Sequence, residues 1–128
     1  MSKTVFITGS SRGIGRRTAE LFYEIGYNVV INYNSSEKEA LELSQKLYGS
    51  IALKGDVSSE KDVKEMIEKA VAHFGKIDVL INNAGISQTN MFTDIKEEEW
   101  NNMLQTNLKM LDVHHAIKKQ QQNFQGNK

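Results

Sequence analysis

The first fifteen residues contain the feature that most limits how this chain can fold. Residues 5–7 (Val-Phe-Ile) form an unbroken apolar run, which is typical of a strand covered on both faces by helices in a parallel sheet. Gly9, Gly13 and Gly15 follow it, and glycines permit a tight turn and the close approach of a ligand. A helical pattern starts at the last glycine, so free N–H groups and the helix dipole favour an anion there. We expect a phosphate-binding loop; a purely structural turn is the alternative for a glycine loop taken alone.

The composition is that of one globular domain without a strong electrostatic preference. The 128 residues are 39% hydrophobic and 25% charged, with 16 basic and 16 acidic side chains. This balance argues against a nucleic-acid or anionic-membrane partner. There is no cysteine, and we find no signal peptide and no apolar run of membrane-spanning length, so we expect a cytoplasmic protein.

Three further strands are predicted at residues 28–32, 51–56 and 77–81, and they alternate with helical patterns. The first helix is expected to end at Gly26 and to bury one apolar stripe: Ile14, Thr18, Leu21, Phe22 and Ile25. The second is expected to begin with a capping box at residues 36–39, and the third to begin at Ser59 and Asp62 and end at Gly75. This alternation predicts an α/β fold, a doubly wound, Rossmann-type parallel sheet of about four strands in the order 3-2-1-4.

The C-terminal part of the pattern predicts a fourth helix and then a tail. The helix should begin near residues 94–99 and bury five apolar side chains: Trp100, Met103, Leu104, Leu108 and Leu111. We expect residues 1–118 to form a partial dinucleotide-binding domain and residues 119–128 to be a frayed tail. With no fifth strand, the fourth strand would have an open edge, so we expect a homo-oligomer through that edge or through the fourth helix.

The predicted strand order places the glycine loop beside a second polar segment. In a sheet of order 3-2-1-4, ligands bind at the carboxyl ends of strands 1 and 4, where the order reverses. Residues 9–15 follow strand 1, and residues 82–85 (Asn-Asn-Ala-Gly) follow strand 4. Two independent signals therefore indicate the same crevice.

Four segments, taken in order, resemble the short-chain dehydrogenase/reductase family, and within it the ketoacyl-carrier-protein reductases. They are residues 8–15 (Thr-Gly-Ser-Ser-Arg-Gly-Ile-Gly), 56–57 (Asp-Val), 82–85 and 106–108 (Thr-Asn-Leu). The resemblance extends over about residues 3–109. It implies a Rossmann-type fold and hydride transfer between NADPH and a ketone such as a β-ketoacyl thioester.

The resemblance also implies a role for each matching position. The glycine loop would hold the pyrophosphate through Gly9, Ser11, Gly13, Ile14 and Gly15. Asp56 would accept a hydrogen bond from the adenine amino group, with the Val57 backbone beside the ring. Asn83, Ala84 and Gly85 would follow the ribose towards the nicotinamide. The structural alternative is a helix cap or a turn for Asp56, and a turn for the Asn82-Asn83 pair.

Two more asparagines are expected to be structural or catalytic rather than ligands of the cofactor. Asn82 should tie neighbouring strands together. Asn107 lies on the apolar stripe of the fourth helix, seven residues after Trp100, where an unpaired amide would cost about 1–3 kcal/mol. In the family, the matching asparagine belongs to a catalytic tetrad and holds a water in the proton relay; a core amide with backbone partners is the alternative.

The charges near the end of the second strand favour NADP(H) over NAD(H). An NAD-preferring site normally has a carboxylate there for the ribose hydroxyls, whereas this chain has Tyr33, Asn34 and Ser35, with no acid before Glu37. Arg12 in the glycine loop offers a guanidinium suited to a phosphate. A solvated loop charge is the alternative for Arg12.

The catalytic tyrosine and lysine of the family pattern are missing from these 128 residues. The four tyrosines are followed, four positions on, by Tyr27, Ile31, Glu37 and Ala52, so there is no Tyr-x-x-x-Lys. We therefore expect a truncated reductase that binds NADP(H) but is inactive alone, its serine, tyrosine and lysine lying beyond Lys128. Two alternatives stay open: a non-catalytic module that pairs with itself or with a full-length reductase, and a scaffold with a relic loop. No metal site is expected, since His73, His114 and His115 are better explained as solvated side chains.

Overall fold

A computed structural model describes residues 2–83 and the backbone of residues 109–112. Strands and helices alternate along the first part of this chain. They are β1 (Thr4–Ile7), α1 (Gly13–Glu24), β2 (Asn28–Tyr33), α2 (Glu37–Lys46), β3 (Ile51–Lys54), α3 (Glu60–Phe74), β4 (Val79–Asn82) and β5 (Lys109–Asp112).

The strands form one parallel sheet in the order β3-β2-β1-β4-β5. In β1, Ile7 is paired with Ile31 of β2 on one side and with Ile81 of β4 on the other. The carboxyl ends of β1, β2 and β4 therefore lie side by side. The predicted doubly wound fold and the order 3-2-1-4 of its first four strands are confirmed.

The fifth strand corrects two expectations. Residues 109–112 pair in parallel with residues 79–82, so β4 has no open edge and cannot provide the expected edge for a homo-oligomer. Leu111 belongs to this strand and not to the predicted fourth helix. A segment of four residues has no decisive period of its own, and pairing with β4 satisfies those of its backbone N–H and C=O groups that face β4. The remainder of the predicted fourth helix and the tail at 119–128 lie outside the described residues.

Side chains of β1 alternate between two cores, one on each face of the sheet. Val5 and Ile7 pack on the side that includes Ala19 of α1 and Leu43 of α2. Phe6 packs on the other side, with residues of α3 such as Ile67. All six of these side chains are at most 1% exposed. Burial on both faces explains why β1 is a continuous apolar run.

The stripe predicted to be buried on α1 is wrong in most of its members. Ile14, Leu21 and Ile25 are 62%, 46% and 70% exposed, whereas the buried residues of α1 are Gly15 and Ala19. These two residues have little or no side chain, so the helix backbone lies close to the sheet. Because α1 lies close to the sheet, it packs with the face that has the smallest side chains rather than with its most apolar face.

The helix ends agree with the predictions except at one cap. The Ser59 side chain accepts a hydrogen bond from the Asp62 N–H at 3.2 Å, and α3 ends at Gly75 with a φ of 86°. Gly26, just after α1, has a φ of 95°. Ser36 does occupy the N-cap of α2, but its side chain makes no capping bond, so the predicted capping box is not formed.

Candidate functional site

The glycine loop lies at the carboxyl edge of the sheet and is fixed to the neighbouring strands. The Thr8 N–H donates to the Ile81 carbonyl at 2.9 Å, and the Ser10 N–H donates to the Asn32 carbonyl at 3.1 Å. Gly9 and Gly13 have φ values of 60° and 65°, in the left-handed region that glycine adopts without strain. The loop turns between β1 and α1 as the sequence predicts.

The first turn of α1 is open towards an anion. The Arg12 side chain makes no capping bond and the first turn contains no acidic residue. Within the described residues, the N–H groups of Gly13 and Ile14 have no acceptor; the first helical bond runs from Arg16 to Arg12. A Cβ atom placed on Gly13 would meet nothing within 4 Å. Unpaired donors, the helix dipole and open space are what a phosphate group requires.

Gly15 faces inward and allows α1 to contact the end of β4. A Cβ atom there would lie 2.4 Å from the Gly9 carbonyl oxygen and 2.5 Å from Nδ2 of Asn83. Only a residue without a side chain fits this contact. Gly15 therefore serves packing, while Gly13 faces the open space.

A hydrogen-bonded cluster joins the glycine loop to the segment after β4. The Asn83 N–H donates to Oγ1 of Thr8 at 2.8 Å, and Nδ2 of Asn83 donates to the Gly9 carbonyl at 3.2 Å. The Thr8 hydroxyl lies 3.2 Å from Oδ1 of Asn82. The expectation that Asn82 links neighbouring strands is confirmed. The structure thus brings the first and fourth strand ends together at one edge of the sheet.

Asp56 forms a turn after β3. Its Oδ1 accepts hydrogen bonds from the hydroxyl and the N–H of Ser58 at 2.7 and 2.9 Å. These bonds lower the pKa of the Asp56 carboxyl, because they stabilise its charged form. The Asp56 N–H donates to Oδ2 of Asp62 at 2.9 Å. Asp56 is thus a turn residue, the alternative considered above, and its half-exposed carboxylate remains accessible to a ligand.

The end of β2 presents polar, uncharged residues. Tyr33 is buried, whereas Asn34 and Ser35 are exposed. The first acid after them, Glu37, starts α2. Arg12 is also exposed and belongs to none of the ion pairs found among the described residues. Ser11, by contrast, is buried at 5% exposure.

Asn32 lies at this edge and was given no role by the sequence interpretation. It is 2% exposed, and its Oδ1 accepts a hydrogen bond from the Gly9 N–H at 2.9 Å. The available signal was an amide inside an otherwise apolar run, since a buried amide must find partners.

Some predicted positions lie outside the described residues. These are Ala84, Gly85, Asn107, His114 and His115. In the part of the chain that is described, no three His, Cys, Asp or Glu side chains converge as a metal site would require. Within the same residues, no helix is both long and apolar enough to cross a membrane.

Comparison with known proteins agrees with this arrangement. The family model for short chain dehydrogenases matches residues 3–123. A 3-oxoacyl-(acyl-carrier-protein) reductase FabG of Staphylococcus epidermidis strain ATCC 35984 is 44% identical over 113 residues. The enzyme of the same name from Staphylococcus aureus strain Mu50 is 43% identical over 113 residues. Each match covers 85% of this chain and 46% of the relative, so the chain spans about half the length of these relatives. With a family match that covers nearly all of its residues, the chain belongs to the short-chain dehydrogenase family.

Proposed function

We propose that this chain is the NADP(H)-binding half of a reductase that transfers hydride between NADPH and a ketone such as a β-ketoacyl thioester. The observation that carries the proposal is the first turn of α1, where the N–H groups of Gly13 and Ile14 have no acceptor among the described residues and the Cβ position of Gly13 is open. The relatives are named for the reduction of 3-oxoacyl thioesters, which supports the substrate class. A cytoplasmic location remains the prediction from composition.

The residues of the crevice fit a dinucleotide phosphate, and each would serve a different part of it. The N–H groups of Gly13 and Ile14 would bind the diphosphate, with Ser11, Gly9 and Gly15 shaping the loop. Asp56 and Val57 would flank the adenine, and Asn83 with Ala84 and Gly85 would follow the ribose. When bound, NADPH supplies the hydride; Asn107 would hold a water for the proton relay.

The choice of NADP(H) over NAD(H) rests on charge. Arg12 is an exposed cation at the start of α1, and Asn34 and Ser35 at the end of β2 offer no carboxylate. A 2′-phosphate would therefore find an attractive site, whereas a carboxylate at the end of β2 would repel it.

Calorimetric titration with NADPH and NADH tests the binding proposal. We expect tighter binding of NADPH, and Arg12→Leu should reduce the preference about tenfold, since a charge-assisted phosphate contact is lost. Arg17→Leu is the matched control: it removes the same charge from the same helix, where Arg17 faces Glu24 at 3.8 Å. NADH binding that equals or exceeds NADPH binding would contradict the cofactor assignment.

We further propose that these 128 residues have no reductase activity alone, because they contain no Tyr-x-x-x-Lys. A proton donor contributes about 10²–10⁴-fold to such reactions. Incubation of the purified chain with NADPH and a β-ketoacyl thioester should show no oxidation of the cofactor. Turnover that Asn107→Ala abolishes would overturn the proposed inactivity.

A second candidate is a module that pairs with itself or with a full-length reductase. The β4 edge is paired, but β5 is the last strand on its side of the described sheet, and an outer strand can pair with another chain. The fourth helix, the other expected contact, lies outside the described residues. The solution mass tests self-association: a homo-oligomer is expected, and a monomer at micromolar concentration would contradict it.

A further inference from the structure

Asn32 connects two parts of the crevice that are distant in sequence. On one side, its Oδ1 accepts from the Gly9 N–H at 2.9 Å, and its N–H donates to Oγ of Ser10 at 3.0 Å. On the other side, its Nδ2 donates to the Gly55 carbonyl at 3.1 Å and contacts Sδ of Met66 at 3.2 Å. One buried amide thus bridges the glycine loop and the end of β3.

The two bridged segments carry different parts of the proposed ligand site. The Gly9 end leads through the loop to the N-terminus of α1, where the diphosphate would bind. The Gly55 end leads directly to Asp56 and Val57, which would flank the adenine. The Gly55 N–H also donates to the Tyr33 carbonyl at 2.9 Å, so this end is held by backbone and side chain together.

Asn32 itself is out of reach of a ligand at 2% exposure. Its effect on binding must therefore pass through the segments that it holds. An amide suits the position because it combines an acceptor for the Gly9 N–H with a donor for the Gly55 carbonyl. Leucine offers neither group, and aspartate in its charged form places an oxygen against the Gly55 carbonyl.

We propose that Asn32 is a positioning residue that sets the distance and angle between the glycine loop and the segment formed by Asp56 and Val57. This inference rests on the proposed function. The affinity of a ligand that contacts both segments should then depend on Asn32, whereas the affinity of a ligand that contacts only one of them should not. Only a ligand that contacts both segments requires them to be held in a fixed relative position. If that position must first be ordered on binding, the entropic cost weakens the binding of this ligand alone.

The test uses NADP⁺ as the spanning ligand, with inorganic pyrophosphate and adenine as the single-segment probes. Dissociation constants are measured by NMR titration for the whole chain and for Asn32→Asp. We expect NADP⁺ to bind about tenfold or more weakly to the variant, and each probe to change by less than about twofold. Ser44→Ala is the matched control, since it removes a side-chain bond to the Ser50 carbonyl at 3.3 Å, away from the crevice.

Lowering the pH should restore binding to Asn32→Asp. Burial raises the pKa of a carboxyl, and its protonated form again combines one donor with one acceptor. The ratio of NADP⁺ affinity between variant and wild type should therefore rise as the pH falls from about 8 to about 5.5. If Asn32→Asp does not fold, Asn32→Ser, which is smaller and uncharged, provides the comparison of spanning and single-segment ligands.

The outcomes separate this inference from the function on which it rests. Failure of the unchanged chain to bind NADP⁺ would overturn the proposed function and the inference with it. Normal NADP⁺ binding by a folded Asn32 variant would overturn the inference alone. Equal weakening of NADP⁺ and of both probes would also overturn it, because that result indicates general damage to the site rather than a change in relative placement.

Discussion

A Cβ atom on Gly15 would lie 2.5 Å from Nδ2 of Asn83. This contact joins the first turn of α1 to the residue that follows β4. The same Nδ2 donates to the Gly9 carbonyl at 3.2 Å. The loop, the helix and the end of β4 are therefore in close contact at Gly15, where even one added carbon atom would collide with its neighbours.

Gly15→Ala should destabilise the protein although alanine favours a helix. The helix propensity of alanine over glycine would contribute about 1 kcal/mol of stability, but the added carbon collides with the Gly9 carbonyl and Asn83. Overpacking of this kind typically costs about 1–3 kcal/mol. Urea unfolding measures the change. Thr18→Ala, on the same helix and half-exposed, is the control, and a stabilised Gly15→Ala protein would show that the contact is not rigid.

Two serines at helix starts should differ in their contribution to stability. Ser59 accepts a capping bond from the Asp62 N–H, so Ser59→Ala should cost about 1 kcal/mol. Ser36 makes no such bond, and Ser36→Ala should change the free energy of unfolding by less than about 0.5 kcal/mol. The two variants are controls for each other in one urea series. Equal losses would mean that the Ser36 cap forms in solution.

The contrast between these serines shows how far the sequence could predict the fold. Both have the spacing of an N-cap, and the sequence correctly placed a helix after each, because capping residues and apolar periodicity are local signals. Whether the serine side chain forms the capping hydrogen bond depends on the conformation of the loop before the helix. The same limit applies to Asn32: the sequence shows a polar residue in a strand, but its partners at Gly9 and Gly55 are 23 residues away on either side.

The site was predictable where it follows from strand order, and less so where packing decides. The glycine loop and Asn82-Asn83 lie together because parallel strands end at the same edge. The buried face of α1 was not predictable from hydrophobicity, since the tight contact at Gly15 turns Ile14 and Ile25 outward. The β5 strand was missed because four residues carry no clear period.

The exposed stripe of α1 should tolerate polar substitution. Ile25 is 70% exposed, whereas Leu43 of α2 is fully buried. Ile25→Ser should therefore change stability by less than about 0.5 kcal/mol, while Leu43→Ala should cost about 2–5 kcal/mol through lost burial and cavity formation. Chemical denaturation of both variants checks this difference. A large loss for Ile25→Ser would mean that another part of the chain or another molecule covers this face.

Ser58→Ala should raise the pKa of Asp56 towards the ordinary aspartate range. The Ser58 hydroxyl is the main cause of the lowered pKa, and the Ser58 N–H, which remains in the variant, is the second. The change is therefore expected to be partial. Carboxyl NMR signals followed between about pH 2 and pH 6 measure it, with Ser44→Ala as a control that should leave Asp56 unchanged.

The same variant predicts how the Asp56 turn contributes to stability at different pH. A carboxyl whose pKa is lower in the folded state stabilises the fold above its unfolded pKa, and this contribution disappears as the pH falls through the folded value. The stability difference between wild type and Ser58→Ala should thus be largest near neutral pH and shrink below about pH 4. Urea unfolding at a series of pH values measures the difference. If the difference in the free energy of unfolding instead grows as the pH falls, Ser58 stabilises the protonated carboxyl, contrary to the two bonds that it donates to Oδ1.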